Sequence, residues 1–134
     1  MGALPRECLG RPAKLGPLDR QGVRACLDLL PISTNDTLYG LFVDDRLNLL
    51  AVDMMALGLI NVVRPGIGRL LNLGRECDAK AIILAYPAPS DDLLIDFATH
   101  QYVAHLRSYL SEFELPLLDY LMVGPTRIFG IGSW

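Results

Sequence analysis

Apolar residues recur along this chain with two different periods, and the changes of period predict where helices and strands alternate. From residue 18 to residue 30 the apolar positions follow a helical spacing, which ends at Pro31 because proline lacks a backbone donor. Two apolar runs, residues 38–43 and 47–56, flank the polar tripeptide at 44–46. These runs predict two strands joined by a tight turn.

The middle of the chain continues the alternation. Ile60 to Val63 predicts a third strand, and the apolar spacing from Ile67 to Gly74 predicts a second helix. The wholly apolar run from Ala81 to Ala85 is typical of a strand that is covered on both faces. We therefore expect this strand at the centre of the sheet.

The last third of the chain predicts a loop, a long helix and a strand pair. Residues 86–92 contain two prolines and predict a loop, and residues 93–113 predict a long amphipathic helix. The positive N-terminal end of that helix suits Asp91 or Asp92. Residues 117–123 and 128–131, separated by Gly-Pro, predict the final two strands.

The predicted order is α-β-β-β-α-β-α-β-β, without a repeat or a linker. This order favours one α/β domain, a single mixed sheet with helices on its faces, over residues 17–134. Residues 1–16 contain prolines and glycines without an apolar period, so we expect them to form an irregular lead-in. A chain of 134 residues, 51% of them hydrophobic, is long enough for one core.

The charge of the chain bears on its partners. Residues 1–24 carry five basic and two acidic groups, whereas the rest of the chain is acidic. Nucleic-acid binding depends on neutralising phosphates, so nucleic acid is not the expected partner of the folded body. The basic N-terminal arm is either a solvated tail or a phosphate-binding arm, and the tail is the favoured interpretation.

Membrane insertion and disulfide formation are also disfavoured. No apolar run reaches the roughly 20 residues that cross a bilayer, and residues 1–16 lack the apolar stretch of a secretory signal. Cys8, Cys26 and Cys77 form an odd set without C-x-x-C spacing, which predicts reduced, mostly buried thiols. We therefore expect a cytoplasmic protein that does not enter a membrane.

Motifs for nucleotide, metal or nucleophilic chemistry are weak. The tripeptide Gly66-Ile67-Gly68 lacks the third glycine of a dinucleotide motif, and a helix start with close glycine packing is the favoured interpretation. His100 and His105 are five residues apart on a predicted helix, so they point in different directions and are expected at the surface. No serine stands in a G-x-S-x-G setting.

Two segments resemble the RadC family, whose domain is of the JAB/MPN (JAMM) type. Residues 79–90, AKAIILAYPAPS, are similar to the family's A-x-A-I-I-L-A strand followed by His-Asn-His-Pro-Ser-Gly. Residues 115–124, LPLLDYLMVG, are similar to I-P-L-L-D-H-I-I-V-G. Gly58, Asn61 and Pro65 provide a weaker upstream similarity, and the whole resemblance spans roughly residues 18–132. It implies a JAB/MPN-like fold.

The resemblance also implies that the metal motif of the family is degenerate here. The family's two zinc-binding histidines fall on Tyr86 and Ala88, neither of which suits zinc at neutral pH. Pro89 and Ser90 match the family. The remaining positions stay open: the third ligand falls on Asp91, Asp92 or Asp96, and the glutamate base is replaced at best by Asp36 or Asp53.

The expectation from this resemblance is a catalytically inactive, metal-free RadC-like domain without a cofactor. It would act by binding a protein partner or a second copy of itself, and the apolar segment 128–134 would pair through an open sheet edge or be covered by its own loops. Two alternatives remain. One is a metallohydrolase using the aspartates at 91, 92 and 96 with His100 or His105, and the other is a protein associated with DNA repair.

Overall fold

The structure is a computed structural model that describes residues 17–28, 37–57, 67–88, 90–92 and 97–132. Over these residues the chain is an α/β domain with three helices and one five-stranded mixed sheet. The elements in chain order are α1 (Arg20–Asp28), β1 (Thr37–Val43), β2 (Leu49–Leu57), α2 (Ile67–Glu76), β3 (Ala81–Pro87), α3 (Phe97–Ser111), β4 (Leu117–Val123) and β5 (Ile128–Gly130). The strand predicted at Ile60 to Val63 and the lead-in at 1–16 lie outside the described residues.

The sheet has the strand order β2-β1-β3-β4-β5, so the prediction that Ala81–Ala85 is central is confirmed. All five of these residues are buried. Strand β3 pairs antiparallel with β1 and parallel with β4. A parallel neighbour requires a crossover connection, which contains helix α3. The carboxyl ends of β3 and β4 consequently meet at one edge of the sheet.

Strand β3 is longer than predicted. Tyr86 and Pro87, which the sequence placed in a loop, continue the parallel ladder opposite Met122 and Val123. Proline is compatible with this position because it is the last residue of the strand. The ladder even extends by one bond, since the Ala88 N–H donates to the Val123 carbonyl over 2.8 Å.

The buried face of helix α3 differs from the apolar pattern. Phe97 is 75% exposed, and Phe113 is 48% exposed. The residues that face the interior instead have helical spacing and include a threonine: Thr99, Val103, Leu106 and Leu110. The apolar pattern predicts a helix here, but it does not indicate which face of the helix packs against the sheet.

Helix ends explain several polar residues. Asp19 caps α1, because its Oδ1 accepts a hydrogen bond from the Gly22 N–H at 2.8 Å. Helices α2 and α3 are each followed, within three residues, by a residue with positive φ, Asp78 and Glu114. The next N–H in each case bonds a carbonyl five residues back, as in the Schellman motif. The close packing predicted for the glycines before α2 is wrong for Gly68, where an added Cβ would meet nothing within 4 Å.

The thiols fit the prediction of reduced, mostly buried cysteines where they are described. Cys26 is buried, and burial raises the pKa of its thiol to about 11. Cys77 is partly buried, and its Sγ lies 3.1 Å from the Leu73 carbonyl. Cys8 is outside the described residues.

Among the described helices, none has the length and apolar character needed to cross a membrane.

Candidate functional site

The edge at the carboxyl ends of β3 and β4 contains Tyr86 and Ala88, the two positions onto which the resemblance puts the zinc-binding histidines. Tyr86 is partly buried and is paired with Met122 in the ladder. Ala88 is 8% exposed, and its backbone is held by Val123. In an extended chain, residues two apart lie on the same side, so the two positions share a side at this strand end. The prediction that both follow the central strand is wrong for Tyr86, which belongs to β3, and holds for Ala88. Neither side chain is a histidine, and alanine has no donor atom for a metal.

Asp91 connects this edge to the turn between β4 and β5. Its Oδ1 accepts hydrogen bonds from the N–H groups of Thr126 and Arg127, each at 3.1 Å. The Thr126 hydroxyl donates to Oδ2. Gly124 lies against the same carboxylate, and an added Cβ there would contact Asp91 Oδ1. The prediction that Asp91 could cap α3 is therefore wrong, because its oxygens bind the 124–127 turn.

These bonds give a prediction for pH dependence. The hydrogen bond from the Thr126 hydroxyl, with those from the two backbone N–H groups, lowers the pKa of Asp91 below its ordinary value. A lowered folded-state pKa means that the stabilisation is present above about pH 4 and is lost as the pH falls through the folded value. The stability difference between the wild type and Asp91→Asn should therefore be larger at pH 6 than at pH 3.

Thermal denaturation of both proteins at the two pH values measures this difference. Asp92→Asn is the matched control, because Asp92 is exposed one residue away, and its effect should be small at both pH values. An Asp91→Asn effect that stays equal at pH 3 and pH 6 would contradict the prediction.

The other candidate ligands that the structure describes do not form a cluster that could bind a metal. Ser90 accepts a hydrogen bond from the Asp92 N–H at 3.0 Å and so shapes the loop. His100 and His105 are both exposed on α3, as predicted. Within the described ranges, no group of three or more histidine, cysteine, aspartate or glutamate side chains could hold a metal ion. Asp96 lies outside these ranges.

The base candidates were Asp36 and Asp53, of which only Asp53 is described. Asp53 lies on β2, is 8% exposed and is paired with Arg69 of α2. The Arg69 Nε and Nη2 both donate to Asp53 Oδ2, at 3.0 and 2.5 Å. The charge-assisted hydrogen bonds between this guanidinium and carboxylate join helix α2 to strand β2. This contact gives Asp53 a structural role.

A cleft of about 370 Å³ opens at the same edge of the sheet. Its volume falls in the range of about 300–1,000 Å³ that is usual for small-molecule sites. Ala88 is one of its lining residues, so the cleft includes one of the two positions that the resemblance singles out. The remaining lining residues come from α1, β1 and the ends of β3 and β4: Arg24, Leu27, Asp28, Tyr39, Pro87, Val123, Gly124 and Pro125. Burial raises the pKa of the Tyr39 hydroxyl, which keeps it protonated at neutral pH.

Arg24 is fixed in the wall of this cleft. Its Nη1 donates to the Gly124 carbonyl at 2.6 Å and to the Pro125 carbonyl at 3.2 Å. These bonds attach α1 to the turn after β4, about 100 residues later in the chain. Arg24 forms no ion pair with any of the residues that the structure describes. The cleft therefore has a positioned positive charge that is not used in an ion pair with the described residues.

A second polar cluster surrounds Asp119, which is completely buried in β4. Its Oδ1 accepts hydrogen bonds from the N–H groups of Tyr120 and Gly132, both at 2.7 Å. Its Oδ2 lies 3.8 Å from Arg20 Nη2 of α1. Arg20 also donates to the Ile128 carbonyl at 3.2 Å. The cluster joins the first helix to the last strand.

The roles of Arg24 and Asp119 were not predicted from the sequence, although each residue has a signal there. Arg24 and Asp28 are four residues apart, so they share a face of α1. Asp119 is the single charged residue of an otherwise apolar strand, LLDYLMV. A charged residue in such a run is rarely buried without a partner. The partners themselves are too distant in sequence to be found from these signals.

Two comparisons with known proteins found no match. Neither the family models nor the curated proteins that were searched match this sequence.

Proposed function

We propose that this chain is a catalytically inactive RadC-like JAB/MPN domain that works as a metal-free binding module. The resemblance in residues 79–90 and 115–124 supports the family, and the strand pair β3 and β4 carries both segments side by side. The module would bind a protein partner, a second copy of itself or a small ligand. The binding region would be the edge at the carboxyl ends of β3 and β4.

The proposal rests on what the side chains at four of the described motif positions can bind. Ala88 has no ligand atom, and Tyr86 has only a phenol. The Asp91 oxygens bind Thr126 and Arg127, and the Asp53 carboxylate binds Arg69. The residues present therefore do not fit the zinc site that the family implies, whose ligands are histidine nitrogens and a free carboxylate.

Elemental analysis of protein purified without a chelator tests the metal-free part of the proposal. We expect well below one zinc per chain. About one zinc per chain, together with peptide or isopeptide hydrolysis that a chelator abolishes, would overturn the proposal in favour of a metallohydrolase. Salt-dependent binding to duplex DNA would instead favour the nucleic-acid alternative.

A double substitution tests the family geometry. Tyr86→His with Ala88→His places two imidazoles where the family has its zinc ligands, and we expect measurable zinc affinity with Asp92 or Asp96 as the third ligand. Asp91 is the weaker choice because its oxygens are held by the 124–127 turn. Hydrolysis should not return, because Asp53, the described base candidate, is held by Arg69.

The matched control is Gln101→His, which creates an exposed histidine pair with His105 at i, i+4 on α3. Calorimetry should give zinc affinity at least tenfold tighter for the double variant than for this two-ligand pair, a difference of about 1.4 kcal/mol. Equal affinities would mean that the strand end has lost the family geometry. The single variant Ala88→His should bind no better than the control.

A further inference from the structure

The guanidinium of Arg24 is built into the cleft as a recognition group. Nη1 alone makes the hydrogen bonds to Gly124 and Pro125, so the edge formed by Nε and Nη2 has no hydrogen bond within the described part of the chain. That edge is the fork that binds a carboxylate with two parallel hydrogen bonds. Because the side chain is already positioned, little conformational entropy is lost when an anion binds.

Asp28 supplies the opposite charge in the same cleft. It lies one helical turn after Arg24, is exposed at the end of α1 and lines the cleft. Side chains four apart on a helix start about 5–6 Å from each other. The two groups do not form an ion pair with each other or with other described residues. A ligand can therefore contact both charges.

Small apolar groups lie near this charged pair. Leu27, Val123 and Ala88 contribute apolar surface to the cleft, and the alanine methyl leaves more room there than a larger side chain. An extended chain advances about 3.3–3.6 Å per residue, so the two charged ends of a dipeptide are roughly 7 Å apart at most. This length is of the same order as the roughly 5–6 Å between the Cβ atoms of two residues one helical turn apart.

From these contacts we infer that the cleft binds a small zwitterion of dipeptide size, with its carboxylate on Arg24 and its ammonium group at Asp28. The inference rests on the proposed function, because it assigns a ligand class to the edge where the metal motif has degenerated. It needs no metal and no covalent step.

Three probes of similar size separate the two charges. Alanyl-alanine has both, N-acetylalanine has only the carboxylate, and alanyl-alaninamide has only the ammonium group. Titration of the full chain, followed by NMR at the backbone amides of Gly124 and Ala88, should show alanyl-alanine binding at least tenfold more tightly than either single-charge probe. A dissociation constant of about 1 mM corresponds to about 4 kcal/mol, which is suitable for so small a ligand.

Substitutions assign the two charges to residues. Arg24→Gln should abolish binding, whereas Arg75→Gln should leave it unchanged, because Arg75 is an exposed helix arginine that lines a different cleft. Asp28→Asn should reduce alanyl-alanine binding to the level of N-acetylalanine. Arg24→Lys keeps the charge and a donor for the Gly124 carbonyl but lacks the planar fork, so it should weaken binding about tenfold while lowering the melting temperature less than Arg24→Gln does, which separates recognition from folding.

Two results would overturn the inference: alanyl-alanine that does not bind the wild type, or equal binding by Arg24→Gln and Arg75→Gln. Either result leaves the metal-free module intact, since zinc content and hydrolysis are measured separately. Conversely, a zinc-dependent hydrolysis would remove the proposed function whether or not the dipeptide binds.

Discussion

Replacing Asp119 with alanine should lower the free energy of unfolding by about 3 kcal/mol, which for a domain of this size is a fall in melting temperature of roughly 10 °C. The substitution removes two charge-assisted hydrogen bonds, from the N–H groups of Tyr120 and Gly132. It also removes the carboxylate that lies 3.8 Å from Arg20 Nη2, but this contact contributes less than the two buried hydrogen bonds because the Arg20 side chain is 35% exposed.

Denaturant unfolding of Asp119→Ala and Asp92→Ala provides the comparison. Asp92 is exposed, so its loss should change stability by less than about 0.5 kcal/mol. Asp119→Asn should fall between the wild type and Asp119→Ala, because the amide oxygen can still accept one of the hydrogen bonds. Equal stability of the two alanine variants would mean that the buried carboxylate does not hold the last strand.

Gly130→Ala should destabilise the protein by about 2 kcal/mol. This is expected although alanine loses less backbone conformational entropy on folding than glycine does. A Cβ at Gly130 would lie 2.5 Å from Asp119 Oδ2 and 2.5 Å from Arg20 Nη2. The Arg20 side chain can move, but the carboxylate is fully buried and fixed, so relief requires a shift of β5.

The matched control is Gly68→Ala in helix α2, where an added Cβ meets nothing within 4 Å. Alanine in a helix costs less conformational entropy than glycine, so this variant should be more stable by about 0.5–1 kcal/mol. Opposite signs in urea unfolding would confirm the difference between a packed and an open glycine. A Gly130→Ala protein as stable as the wild type would show that β5 moves freely.

Much of the fold is predictable from the sequence because each element has a local signature. The apolar run Ala81–Ala85 indicates a doubly covered strand, and residues 38–43 and 47–56 indicate a hairpin; the structure confirms both. The continuation of β3 through Pro87 was missed, because its pairing with Val123 depends on a strand 30 residues later. Likewise, the exposure of Phe97 depends on what covers α3, which its own spacing does not contain.

The candidate site is only partly predictable for a related reason. Tyr86, Ala88 and Asp91 are found by resemblance of adjacent residues, and the structure places the first two at one strand end. The bonds from Asp91 to the 124–127 turn, and those from Arg24 to the same turn, join segments far apart in sequence. Such contacts depend on the register of the strands, and single-sequence periodicity does not determine that register.

The contacts of helix α1 have a consequence for how the chain folds as it is synthesised. Arg20 and Arg24 bind carbonyls of Ile128 and Gly124, more than 90 residues after them. These partners are synthesised last, so the two arginines cannot form these hydrogen bonds until β4 and β5 have left the ribosome. We therefore expect α1 to complete its docking late in folding, and the apolar residues Val23 and Leu27 to be less protected from aggregation or chaperone binding until then.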